Sequence, residues 1–168
     1  MTPGLALTFW TVRLAAGLYA LSLLGLLGGW RRVARLAWLL GCALLFVHVG
    51  LALHVVYGWD HAEMVRRTAE QARAMNGVTF AAAAYVNYAF MAVWAADAGY
   101  WLVAGDERYR RRARWLVAAV HAFMAFVVIN AVVVFAVSAW TRWAGIAAAV
   151  GLGTAWACSR RQHLARTR

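Results

Sequence analysis

Two imidazoles and two carboxylates fall within ten residues in the string His54-Val55-Val56-Tyr57-Gly58-Trp59-Asp60-His61-Ala62-Glu63. Gly58 lets the chain turn, so His54 and His61 could converge on one divalent ion, with Asp60 and Glu63 completing the set. Imidazole donors would favour zinc or copper there. The competing reading is local: Asp60 caps a helix and His61 is solvated. The spacing matches no established metal motif, and HExxH is absent. Cys42 and Cys158 form neither CxxC nor a zinc pattern, and read as small apolar core residues.

A second set of polar side chains interrupts long apolar runs: Arg13, His48, Asn87, Asp97, His121 and Asn130. What they could do depends on where those runs lie. The chain has 168 residues, 65% of them hydrophobic, with mean hydropathy +0.64. A soluble domain is nearer to about half apolar. A bilayer span needs about 20 mainly apolar residues, and five segments qualify: 5–29, 33–57, 78–103, 115–139 and 141–158. The expectation is an all-α fold, a polytopic transmembrane helical bundle in which residues 1–168 form one membrane domain. Residues 5–29 are too long for a signal peptide's apolar core and have no basic stretch before them, so they read as a retained span.

Residues 60–75 are too polar to span and predict an amphipathic helix on the outer surface. Asp60 and Glu63 resemble a capping box, and Glu63–Arg67 and Arg66–Glu70 are i,i+4 pairs. Ala62, Val65, Ala69 and Ala72 form an apolar stripe, and Asn76-Gly77 ends the helix.

A net charge of +11 would suggest nucleic acid in a soluble chain. Here the arginines cluster between apolar runs, which is the pattern of membrane topology and argues against a nucleic-acid partner. Arg31, Arg32, Arg35, Arg108, Arg110, Arg111, Arg112, Arg114, Arg160, Arg161, Arg166 and Arg168 fall on one side. Only Arg66, Arg67, Arg73 and Arg142 fall on the other. The positive-inside rule then puts the N-terminus out and the C-terminus in, as expected in a bacterial inner (cytoplasmic) membrane. Trp30, Trp101, Trp115 and Trp156 fit an inner aromatic belt; Trp59, Trp140 and Trp143 fit an outer one. The chain has no lysine, which excludes Schiff-base chemistry.

With the spans placed, Arg13, His48, Asn87 and Asn130 all fall about 12–15 Å below the outer surface, at a rise of 1.5 Å per residue. Four helices carrying a polar residue at one level predict an intramembrane polar cluster. The local alternatives are that Arg13 snorkels outward and that the two asparagines bond between helices. Deeper, Asp97 and His121 sit at matching depth on consecutive antiparallel spans and predict a buried pair in which each offsets the other's desolvation. His48 and His121 differ in depth by about 13 Å, which disfavours a bis-histidine haem.

The stretch from Trp59-Asp60-His61-Ala62 through Tyr85-Val86-Asn87-Tyr88 to Trp94-Ala95-Ala96-Asp97 resembles small integral membrane proteins of planctomycete-type bacteria. It lies within the middle third of the chain. The resemblance implies a bacterial origin and carries no activity with it.

Three kinds of function follow. The chain could be an accessory or structural subunit of a membrane complex, its polar residues serving association with other subunits or with itself. It could hold a metal or redox cofactor through its histidines. It could be a small proton or ion conduit using Asp97 and His121.

Overall fold

Thr2 and Pro3 start the first helix, α1 (Pro3–Leu27). Thr2 Oγ1 accepts from the Leu5 N–H at 3.4 Å, and Pro3 occupies the first turn, where its missing N–H leaves no bond unmade. After a three-residue connection comes α2 (Arg31–Val55), followed by α3 (His61–Asn76), α4 (Ala83–Arg110) and α5 (Arg114–Ile129). The computed structural model describes residues 2–77 and 82–131. Within them the chain is all-α, with five helices and no strand. The expected fifth span at 141–158, the ends of the third and fourth at 78–81 and 132–139, and Cys158 lie outside the described residues.

Helices α1 and α2 are long and apolar enough to cross a membrane. They form an antiparallel hairpin, and on α1 the buried residues are small or carry a hydroxyl while large apolar ones are exposed. Thr8, Thr11, Ala15, Ser22 and Gly25 face inward on α1, while Leu7, Trp10, Leu14, Leu21 and Leu24 face out. A methyl group at Gly25 would lie 3.0 Å from both the Cβ and the backbone nitrogen of Ala34, so glycine sets how closely the helices approach. Ser22 Oγ then donates to the Ala34 carbonyl at 2.9 Å.

Helix α2 packs on α4, which also carries α3 and α5. The core between them is aromatic: Tyr19, Trp38, Phe90, Trp94 and Trp101, closed by Met124 and Val127. Gly41 makes room for Trp94, whose Cζ2 would lie 2.8 Å from a methyl group there.

The amphipathic helix forms as α3, with Asp60 Oδ1 accepting from the Glu63 N–H at 3.0 Å and Gly77 ending it in a left-handed conformation. Half of the expected capping box is missing, because Arg66 and Arg67 hold the Glu63 carboxylate. The apolar stripe is also shifted: Met64, Ala69 and Ala72 are buried, and Ala62 is exposed. The reason is α4, against which this face packs; the Tyr88 hydroxyl reaches Met64 Sδ at 3.6 Å.

Helix α4 outlasts the expected span end at 103. Gly105 breaks it with φ 73° and ψ 173°, a backbone region open essentially only to glycine. The chain bends there and winds one more turn through Arg110.

Candidate functional site

The bend at Gly105 folds Asp106–Arg112 back against the end of α4 and builds the most polar buried site among the described residues. The Tyr109 ring stacks on the Trp101 indole, with centroids 3.9 Å apart and planes within 10°. Its hydroxyl donates to Asp97 Oδ2 at 2.6 Å. Arg112 Nη1 donates to the other carboxylate oxygen, and its guanidinium lies 3.6 Å over the Tyr109 ring. Arg112 Nε also donates to the Tyr109 carbonyl at 3.0 Å.

This ion pair is closed from solvent: the Asp97 and Arg112 side chains are 4% and 8% exposed. Burial, and then the hydrogen bond to Asp97, push the Tyr109 phenol well above its ordinary range, so it serves as a neutral donor. A second tie joins the same turn to α2. Trp101 Nε1 donates to Asp106 Oδ1 at 2.7 Å, Arg35 Nη1 lies 3.7 Å from that oxygen, and Arg35 Nη2 donates to the Leu102 carbonyl at 3.3 Å. Arg35, Asp97, Asp106, Tyr109 and Arg112 thus clasp α2, α4 and the basic connection together.

The expected Asp97–His121 pair does not form. Both Asp97 oxygens are taken, and a guanidinium beside a carboxylate gives a stronger charge-assisted bond than an imidazole would. His121 instead meets the Trp38 ring edge-on, with centroids 5.5 Å apart. Its Nδ1 is buried with no partner among the described residues, as are Tyr19 Oη, Trp38 Nε1 and Trp94 Nε1 in the same aromatic core.

The four residues expected to cluster in the outer half are not brought together. His48 Nδ1 lies 2.9 Å from the Thr8 carbonyl and 3.4 Å from Thr11 Oγ1. A carbonyl only accepts, so this nitrogen carries the hydrogen, and the bond ties α2 to α1. Arg13 is exposed, 5.5 Å over the Trp10 ring. Asn87 is exposed, and Asn130 Nδ2 donates to the Phe126 carbonyl of its own helix at 2.7 Å. Expected at one level, the four residues have separate surroundings.

The outer-mouth metal set is not assembled either. Gly58 and Trp59 both take positive φ, a turn that brings Trp59 back to donate to His54 Nδ1 at 3.3 Å. His61 stacks on Tyr88 with planes within 7°. Asp60 caps α3, and Glu63 is paired with Arg66 at 2.7 Å and Arg67 at 2.6 Å. Among the described residues, no group of three or more His, Cys, Asp or Glu could hold a metal ion, so the zinc or copper expectation gains no support.

A cleft of about 440 Å³ opens between α4 and α5 beside the clasp. Val93, Ala96, Leu116 and Val120 line it, and Asp97 and Arg112 reach it at one end. Apolar walls with a few polar groups at one end are the usual makeup of a ligand site.

Tyr109, Arg112 and Asp106 carry no obvious site signal in the sequence, because the run from Arg108 to Arg114 reads first as a topology marker. The usable signal was Gly105-Asp106 in front of a lone tyrosine within that run. No known protein family matches the chain, and no curated protein or solved structure is similar to it.

Proposed function

We propose that this chain is an integral protein of a bacterial inner membrane, crossing it five times with the N-terminus out and the C-terminus in. Within that membrane it serves as an accessory or structural subunit of a larger complex. Support for the bilayer comes from the inverted surface of α1, where leucines face outward and threonine, serine and glycine face inward. Water would penalise that arrangement, whereas lipid favours it, because lipid-phase helices associate through small residues and interhelical hydrogen bonds.

The observation that carries the structural role is that Asp97, His48 and Ser22 are each bonded across segments, while His121 Nδ1 has no partner among the described residues. Asp97 is held by Tyr109 and Arg112, His48 by the Thr8 carbonyl, and Ser22 by the Ala34 carbonyl. Each bond joins one segment to another. A proton conduit would need Asp97 free to exchange its proton, and a metal protein would need a convergent donor set. Neither arrangement is favoured by these contacts.

The test is native electrophoresis of gently solubilised membranes from the source bacterium, followed through an epitope on this chain. The expected result is migration with other subunits in fixed stoichiometry. Migration of the chain alone, or only with copies of itself, would overturn the accessory reading.

A further inference from the structure

The cleft between α4 and α5 is mostly apolar, its charged lining is the Asp97–Arg112 pair, and Arg110 and Arg114 flank that lining in sequence. Its volume of about 440 Å³ lies within the range of about 300–1,000 Å³ common for small-molecule sites. Asp97 and Arg112 neutralise each other at its end. The charge around them is not neutralised. Arg108, Arg110 and Arg114 are exposed and make no ion pair among the described residues, while Arg111 is paired with Glu107 at 2.8 Å.

The start of α5 adds to this field. Ala113, which also lines the cleft, precedes the helix and supplies no side-chain cap, and the first turn of α5 holds no acidic residue. The free N–H groups of a helix start favour an anion. The ring of Trp115, 73% exposed, lies next to them in sequence and has the amphipathic character of interfacial side chains.

We propose that this cleft binds an anionic phospholipid, with one acyl chain between α4 and α5 and its phosphodiester headgroup on Arg110, Arg114 and the start of α5. The proposal rests on the membrane reading above. The argument is charge complementarity: a zwitterionic lipid would fill the groove equally well but would gain less from unpaired guanidinium groups. Arginine matches phosphate oxygens in a planar, two-point geometry, which adds selectivity to the attraction.

The test uses the full chain in detergent, offered phosphatidylglycerol or phosphatidylcholine and read by native mass spectrometry. Wild type should retain one phosphatidylglycerol in preference to phosphatidylcholine. Arg110→Gln/Arg114→Gln should lower that retention roughly 30-fold, taking about one kcal/mol for each basic residue near an anionic surface. Ala96→Phe, which fills the groove without altering charge, should lower retention of both lipids. Equal retention of the two lipids by wild type overturns the proposal, as does unchanged retention in the charge variant. If Ala96→Phe does not fold, the charge variant decides alone. Carbonate extraction of the membranes separates this proposal from the one beneath it. A chain that stays embedded yet shows no lipid preference refutes only the lipid site, whereas a chain released into the aqueous phase refutes the membrane reading as well.

Discussion

Removing either half of the buried ion pair should cost more than removing both. Asp97→Ala strands the Arg112 guanidinium, which is 8% exposed, and Arg112→Ala strands the carboxylate, which is 4% exposed. Breaking one partner of such a pair costs about 3–5 kcal/mol, because an uncompensated charge stays buried. Replacing both with apolar side chains of similar volume, Asp97→Leu/Arg112→Met, removes the desolvation together with the attraction and should be far closer to neutral. Tyr109→Phe isolates one hydrogen bond, since the ring can still stack on Trp101 and lie under Arg112. That bond has a charged acceptor, so its loss should cost about 1.5–3 kcal/mol. The assay is reversible unfolding of the purified chain in mixed micelles, followed by circular dichroism as the denaturing detergent is raised. A matching cycle of Asp97→Ala with His121→Ala should give a smaller coupling than the Arg112 cycle. Additive costs at Asp97 and Arg112, or a larger coupling with His121, would refute the clasp.

Other positions give separate checks. Gly105→Ala forces a side chain into a backbone region that only glycine adopts readily, and should lower stability by about 1–3 kcal/mol in the same unfolding assay. Gly41→Ala places a methyl group 2.8 Å from Trp94 Cζ2, so a shift in Trp fluorescence should accompany a loss of about 1–3 kcal/mol. The hydrogen bonds from Arg66 and then Arg67 hold the Glu63 carboxyl at about 2, below its usual 4.5. A depressed carboxylate contributes stability above its unfolded value and loses it as pH falls through the folded one. The protection factors of α3 amides, corrected for the intrinsic exchange rate at each pH, should therefore be steady down to about pH 4.5 and fall between there and pH 2, and Glu63→Gln should reduce that fall.

The elements were legible because their signals are long and local. Runs of leucine, alanine and valine marked α1 and α2 to within two residues at each end, and Asp60 and Gly77 bounded α3. The polar contacts were harder to read because residue depth fixes the level of a side chain but not its direction. Arg13 and Asn87, expected at the level of His48, are both exposed, while His48 turns toward Thr8. Asp97 reads in the sequence as a buried charge needing a partner, and its side chain is 4% exposed between Tyr109 and Arg112. Its partner is not His121 but Arg112, fifteen positions on, because one glycine, Gly105, bends the chain back. The metal reading of His54 and His61 gains no support for a similar reason: the turn at Gly58 and Trp59 brings an indole to His54 instead of a second imidazole.

Reporter fusions decide whether the chain crosses the bilayer with its arginine-rich connections inside. A reporter active only outside the membrane and another active only in the cytoplasm would be fused after Trp30, Gly77, Arg112 and Arg168. The account predicts cytoplasmic activity after Trp30, Arg112 and Arg168, and external activity after Gly77. External activity after Arg112, or cytoplasmic activity at all four positions, would contradict it.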